Sequence, residues 1–186
     1  MRVLGIDPGS RITGFGVVEE QGRDLRTLAC GVIKPGGGDL GARLATLVEG
    51  IAEVADIWSP EVIALERAFV GKSMSSALRL GEVRGALLAF AGSRGISVLD
   101  YPPATVKLTV AGVGNASKAI VASAVEGTLG GNHPAGDATD ALAVAICHLR
   151  HGKFAGRVVE VGPRRGRISQ TAARLPAGAR FVRVSR

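Results

Sequence analysis

Aromatic residues are scarce in this sequence: five Phe, one Tyr and one Trp make up 4% of it. A core with so few large rings has to be filled by aliphatic side chains. Gly, Ala, Val and Leu are plentiful, which suits a compact α/β protein. Cysteine is nearly absent. Cys30 and Cys147 lie far apart and form no CxxC or Cys/His ligand pattern, which argues against a disulfide framework or a zinc site. They read as small buried hydrophobes in a reducing compartment. Long apolar runs are missing too: the longest, Ala141 to Cys147, is far too short to span a bilayer. Nothing near the N-terminus resembles a signal peptide, since Asp7 and Arg11 interrupt any apolar segment. These absences point to a soluble cytoplasmic chain without a membrane partner. Its 186 residues suffice for one domain with a real core.

Acidic charge is also missing from one region. Residues 1–150 carry 14 Lys/Arg and 15 Asp/Glu, whereas residues 151–186 carry 9 Lys/Arg against the single acid Glu160. The net charge of +7 therefore belongs to the tail. A basic tail on a near-neutral domain suits a polyanionic partner, although taken alone it also reads as a solvated arm.

What is present begins with Val3-Leu4-Gly5-Ile6-Asp7-Pro8-Gly9. Its apolar run reads as a strand in the middle of a sheet, and Pro-Gly stops it at once. Asp7 is left at the rim, where an ionised carboxylate is costly unless something positive meets it. Phe15 to Glu19 and Leu25 to Ile33 read as two further strands, joined by short polar turns into an antiparallel meander. Asp39 is the expected N-cap of a helix to about Trp58, with Leu40, Leu44, Leu47, Ile51, Val54 and Trp58 as one buried stripe. Val62 to Glu66 repeats the opening pattern of an apolar strand running into an acid. A helix over about 73–93 is dense in small residues, including Gly81 and Gly85, which suits close packing on the sheet or on a second subunit. Ile96 to Asp100 is a fifth strand. Helices follow over about 104–111, 117–128 and 137–150. The expected architecture is α/β, a mixed five-stranded sheet (three antiparallel strands, then two more) flanked by helices.

Four acids stand out by position. Asp7 and Glu66 each close a strand; Asp137 and Asp140 lie three apart at a helix start, on one face. Singly, each reads as structural, and Asp137 as an N-cap. Together, adjacent strand ends unite Asp7 and Glu66, and the helix start can lie across them. No obvious arginine neutralises such a set, which would be strongly destabilising unless cations sat among its members. Oxygen-only donors favour Mg²⁺ or Mn²⁺ over zinc. Two such ions can activate water and stabilise the leaving oxygen of a phosphodiester.

The wider pattern is more specific. The segment Gly5-Ile6-Asp7-Pro8-Gly9-Ser10-Arg11-Ile12-Thr13-Gly14-Phe15-Gly16 is followed by Leu65-Glu66, Phe69, Lys72, Ser76-Ala77-Leu78, Leu80-Gly81 and Arg84-Gly85. Val106-Lys107, Thr109-Val110, Gly112, Gly114, Lys118 and the run Asp137 to Ala145 complete it. In order and spacing, residues 1 to about 150 resemble the RuvC family of Holliday-junction resolvases. The resemblance implies a ribonuclease H-like nuclease domain over residues 1–155; the basic C-terminal tail over 156–186, read from its charge, matches nothing in the family pattern. It further implies a homodimer that nicks two opposite strands of four-way junction DNA in recombination and repair, leaving 5′-phosphate and 3′-hydroxyl ends. Two Mg²⁺ per subunit, with Mn²⁺ as a substitute, a branch-migration RuvA–RuvB partner and a bacterial cytoplasmic setting come with it.

Asp7, Glu66, Asp137 and Asp140 fall on the family's catalytic, metal-binding carboxylates. Lys118 becomes a candidate for charge at the scissile phosphate. Phe69, Lys72, Lys107, Asn115 and Lys118 become candidates for DNA contact, with Phe69 stacking on an unpaired base. Ser73 and Glu82-Val83 depart from the usual pattern at the expected DNA-facing loop and dimer helix. His133 and His148 read as structural, although His133 is close enough in sequence to Asp137 to approach the site. Two rivals are weighed beside this reading. An actin/Hsp70-like ATPase needs a second lobe that the chain is too short to supply, and a non-catalytic junction binder would rely wholly on the tail.

Overall fold

The computed structural model describes residues 1–9, 11–67, 74–131, 133–151 and 157–159. Phe69, Lys72, Ser73 and the tail beyond Val159 lie outside the described residues. Three strands come first: β1 (Arg2–Asp7), β2 (Thr13–Gln21) and β3 (Asp24–Ile33). Helix α1 (Leu40–Trp58) leads to β4 (Val62–Glu66), and α2 (Met74–Arg94) leads to β5 (Ser97–Tyr101). Helices α3 (Pro103–Ala111), α4 (Lys118–Leu129) and α5 (Asp137–His151) follow, and then the short strand β6 (Arg157–Val159). The sheet runs in the order β3-β2-β1-β4-β5-β6. The first three strands form the expected antiparallel meander, and β4 and β5 add in parallel to β1. Beyond these five expected strands, β6 extends the sheet antiparallel to β5.

Local chemistry sets the element ends. The Asp39 carboxylate accepts from the Ala42 amide at 2.8 Å, so it caps α1 as its sequence context suggests. Ser117 caps α4 in the same way, accepting from the Ile120 amide. The stripe of α1 is narrower than its periodicity suggests. Leu47, Ile51 and Ala55 are buried, but Leu40 at the first turn projects beyond the sheet and is exposed.

Strand alternation divides the core in two. Leu4, Ile6, Val17, Ile63, Leu65 and Val98 pack against α1 and α2. Val3, Val18, Ala64, Leu99 and Tyr101 point the other way, against α3, α4 and α5. Helix α5 is the centre of that second layer. From Ala138 to Leu149 every residue except Asp140 is buried, the signature of a helix enclosed on all sides.

Two glycines let α5 lie directly on the sheet. A Cβ on Gly5 would come within 2.1 Å of the Ala141 carbonyl oxygen, and one on Gly14 within 1.9 Å of the Asp137 carbonyl oxygen. Both contacts are with backbone, so no side-chain rotation relieves them. This close approach brings the first turn of α5 down over the end of β1.

Candidate metal centre

The parity that sorts the core also aims the acids. Asp7 follows Gly5 and Val3 on the α5 face of β1, and Glu66 follows Ala64 on the same face of β4. Asp137 and Asp140 come to meet them from the first turn of α5. Asp137 is the first residue inside this helix rather than its cap; the carbonyl of Gly136 accepts from the Asp140 amide instead. Asp7, Asp137 and Asp140 can each offer an oxygen within 4.8 Å of the others. Glu66 joins them through a hydrogen bond to Asp7.

The electrostatics follow from four half-buried carboxyls in one place. Burial, then the Asp7 charge, pushes the Glu66 carboxyl up to about 8. Burial also raises Asp7, and the charges of Asp140 and Asp137 add to the rise; the Glu66 hydrogen bond and Lys118 oppose it. Asp7 and Glu66 therefore both hold a proton more tightly than a free carboxyl does, at the place a cation would occupy. Lys118 is the nearby cation: its Nζ lies 2.7 Å from Asp140 Oδ2. That bond to Asp140 raises the lysine pKa. Among the described residues no arginine pairs with any of the four acids. Asp7, Glu66, Lys107, Lys118 and Asp140 line one open groove of about 330 Å³, floored by Val106, Val121 and Ala143.

The remaining candidates are placed as follows. Asn115 is exposed in the turn before α4 and does not line the groove. His133 turns away from the acids, with Nε2 2.9 Å from Thr27 Oγ1 on β3. His148 is buried, with Nδ1 2.7 Å from the Tyr101 hydroxyl, and burial lowers its pKa. The sequence offers no signal for one further feature. Asp100, also near a strand end, lies on the opposite face and is held by Arg84 through two bonds of 2.5 and 2.6 Å.

The donor set suits a hard divalent cation. All its ligands are carboxylate oxygens, they converge at one rim, and burial raises the proton affinity of Asp7 and Glu66. A mixed sheet with an antiparallel meander, β4 and β5 parallel to β1, and acids at the ends of β1, β4 and α5 defines a protein of the ribonuclease H-like class.

Comparison with known proteins narrows that class. The family described as crossover junction endodeoxyribonuclease RuvC matches residues 3–148. A RuvC from Azoarcus sp. is 44% identical over 170 residues, covering 90% of this chain and 93% of that protein. One from Chlorobaculum parvum is 46% identical over 155 residues, covering 82% and 83%. The solved structure of T. thermophilus RuvC in complex with a Holliday junction substrate superposes with a TM-score of 0.80 at 32% identity, covering 86% of this chain and 99% of that one. This chain belongs to the RuvC family of crossover junction endodeoxyribonucleases.

Proposed function

We propose that the chain resolves four-way DNA junctions by hydrolysing a phosphodiester in each of two opposed strands, with Asp7, Glu66, Asp137 and Asp140 as its metal-binding and catalytic carboxylates. The observation that carries this reading is the convergence of three of them within 4.8 Å, with Glu66 bonded to the fourth corner through Asp7. Two divalent ions, Mg²⁺ or Mn²⁺, would polarise the attacking water and neutralise charge on the leaving 3′ oxygen. The protein's own residues prepare for that. Asp7 and Glu66, whose proton affinities are raised, would hold such a cation in place of a proton. Asp137 and Asp140 close the cluster from the helix side. Lys118 neutralises Asp140 in the free protein and is placed to turn its charge toward a phosphate in the groove. Lys107 lines the same groove, within reach of a phosphate of the backbone there. Phe69 and Lys72 follow Glu66 in sequence and are assigned to DNA contact on the family pattern.

A homodimer supplies the second cut, since a two-fold axis relates two sites to two opposed strands. Helix α2 offers a face for it: Met74 and Leu78 are exposed, and the flanks of Gly81 and Gly85 are open. Nicking would act in the bacterial cytoplasm, beside a RuvA–RuvB branch-migration complex. The test is a nicking assay on a mobile four-way junction. Cleavage is expected in Mg²⁺ and Mn²⁺ and not in EDTA, with 5′-phosphate ends on both strands. Cutting that persists in EDTA overturns the reading.

A further inference from the structure

On the other face of the sheet, at the same end as the acids, four cations from four elements gather around a second groove. Arg11 comes from the β1–β2 turn, Lys34 from the end of β3, Arg43 from the first turn of α1 and Arg79 from α2. With Ile12 and Gly36 to Gly38 they line about 360 Å³, and no carboxylate is among the lining residues. The nearest acid in sequence, Asp39, is engaged with the Ala42 amide. Arg11, Lys34 and Arg79 are exposed and make no ion pair among the described residues. Like charges held this close repel, and Arg11, Lys34 and Arg79 meet no opposite charge among the described residues to offset it. Gly36 and Gly37 leave the main chain open, with space where side chains would stand.

We propose that this groove is a second binding site for the DNA backbone, separate from the metal centre, which grips the phosphates of a strand leading away from the cut. The inference rests on the nuclease reading for the identity of its ligand. Its position sets its reach. β3, which feeds Lys34, lies two strand spacings from β1, about 10 Å, or about three nucleotides along one DNA strand. Arg11 lies four residues past Asp7, so a strand running on from the acids reaches the arginines of this groove. Arginine suits this task because its fork contacts phosphate oxygens in pairs. An extended line of phosphates matches four separated cations better than a small anion does.

The test is the salt dependence of junction binding, measured on the full chain in EDTA so that no cleavage intervenes. Removing one cation from a phosphate lowers the slope of log K against log salt by about 0.9. The triple variant Arg11→Gln, Lys34→Gln, Arg79→Gln is expected to flatten that slope by about 2 to 3 and to weaken binding at least about tenfold at ~0.1 M salt. In Mg²⁺ the junction concentration for half-maximal nicking rises by the same factor. The charge-preserving variant Arg11→Lys, Lys34→Arg, Arg79→Lys restores the slope. The control Arg23→Gln, Arg26→Gln, Arg150→Gln removes equal charge outside the groove and leaves the slope unchanged. A triple variant with the wild-type slope overturns the proposal, as does a control that flattens it equally. Absence of Mg²⁺-dependent nicking by the wild type counts against the nuclease reading instead, because binding in EDTA is read independently.

Discussion

Glu66 closes β4 and Asp100 stands one residue before the end of the neighbouring parallel strand β5, and what separates their roles is one step of register. Glu66 pairs with Tyr101 and Asp100 with Leu65, so the two carboxyls point to opposite faces. Asp100 meets Arg84, and its charge is satisfied. Glu66 meets Asp7 and is left short of positive charge. This yields a pH prediction whose sign is fixed by the shift. The Glu66 pKa rises from 4.5 to about 8, so the metal-free folded state holds its proton more tightly than the unfolded chain does. This contribution is fully present below pH ~4.5 and is lost as pH rises through about 8. On the proposed function, Mg²⁺ bound at this site would take the place of the proton, so the gain in Tm on adding Mg²⁺ is expected to grow across that window. Thermal melts from pH 5 to 9 with EDTA or Mg²⁺ test it, and a gain independent of pH contradicts it. For chemistry, Asp7→Asn is expected to lower nicking at least about 10²-fold while junction binding, read by gel shift in EDTA, is kept. Lys118→Ala is expected to lower the nicking rate at saturating junction by about 10²-fold, with Lys118→Arg recovering part of it.

At the scale of elements, the site depends on how closely α5 lies on the sheet. Gly14→Ala puts a Cβ against the Asp137 carbonyl and must lift the first turn of the helix, moving Asp137 and Asp140 off Asp7. The expected loss is about 1–3 kcal/mol of stability, read by denaturant melts, and a disproportionate loss of nicking in protein that is still folded. Stability and nicking both unchanged would show that this close approach does not position the acids. The first five strands, the cap of α1 and the buried run of α5 were legible in sequence because each is a local signal. Period two, Asp39 before an apolar helix, and seven apolar residues in a row are each read within a few positions. The faces were not. Asp100 reads like Glu66 until register assigns it to Arg84, and Arg11, Lys34, Arg43 and Arg79 share no motif because they meet only in the fold. The small residues of α2 left two packings open, onto the sheet or onto a partner, and the helix divides them. Val83, Leu87, Phe90 and Ala91 face the core, while Gly81 and Gly85 face open space. Leu78→Asp on that outer side is expected to shift the protein toward monomer in sedimentation experiments, and an unchanged dimer would place the interface elsewhere.

Over the whole molecule, charge is arranged by region: acids at one rim, basic residues on both flanks of that rim, and a further basic excess in residues 151–186. Among the described residues no helix is long and apolar enough to cross a membrane. Deleting residues 160–186 keeps β6 in the sheet and removes seven of the tail's basic residues. It is expected to weaken junction binding and flatten its salt dependence while Mg²⁺-dependent nicking continues; loss of all binding would favour a protein held to DNA by its tail alone. Beneath each of these expectations lies the proposal that the pocket gathering Asp7, Glu66, Asp137 and Asp140 is completed by divalent cations. Titration of the DNA-free protein with Mn²⁺, followed by electron paramagnetic resonance at pH 6 and pH 8, reads that directly. Saturable binding that tightens at the higher pH and disappears in Asp7→Asn is the predicted result. Binding that ignores both the pH and the substitution would contradict it.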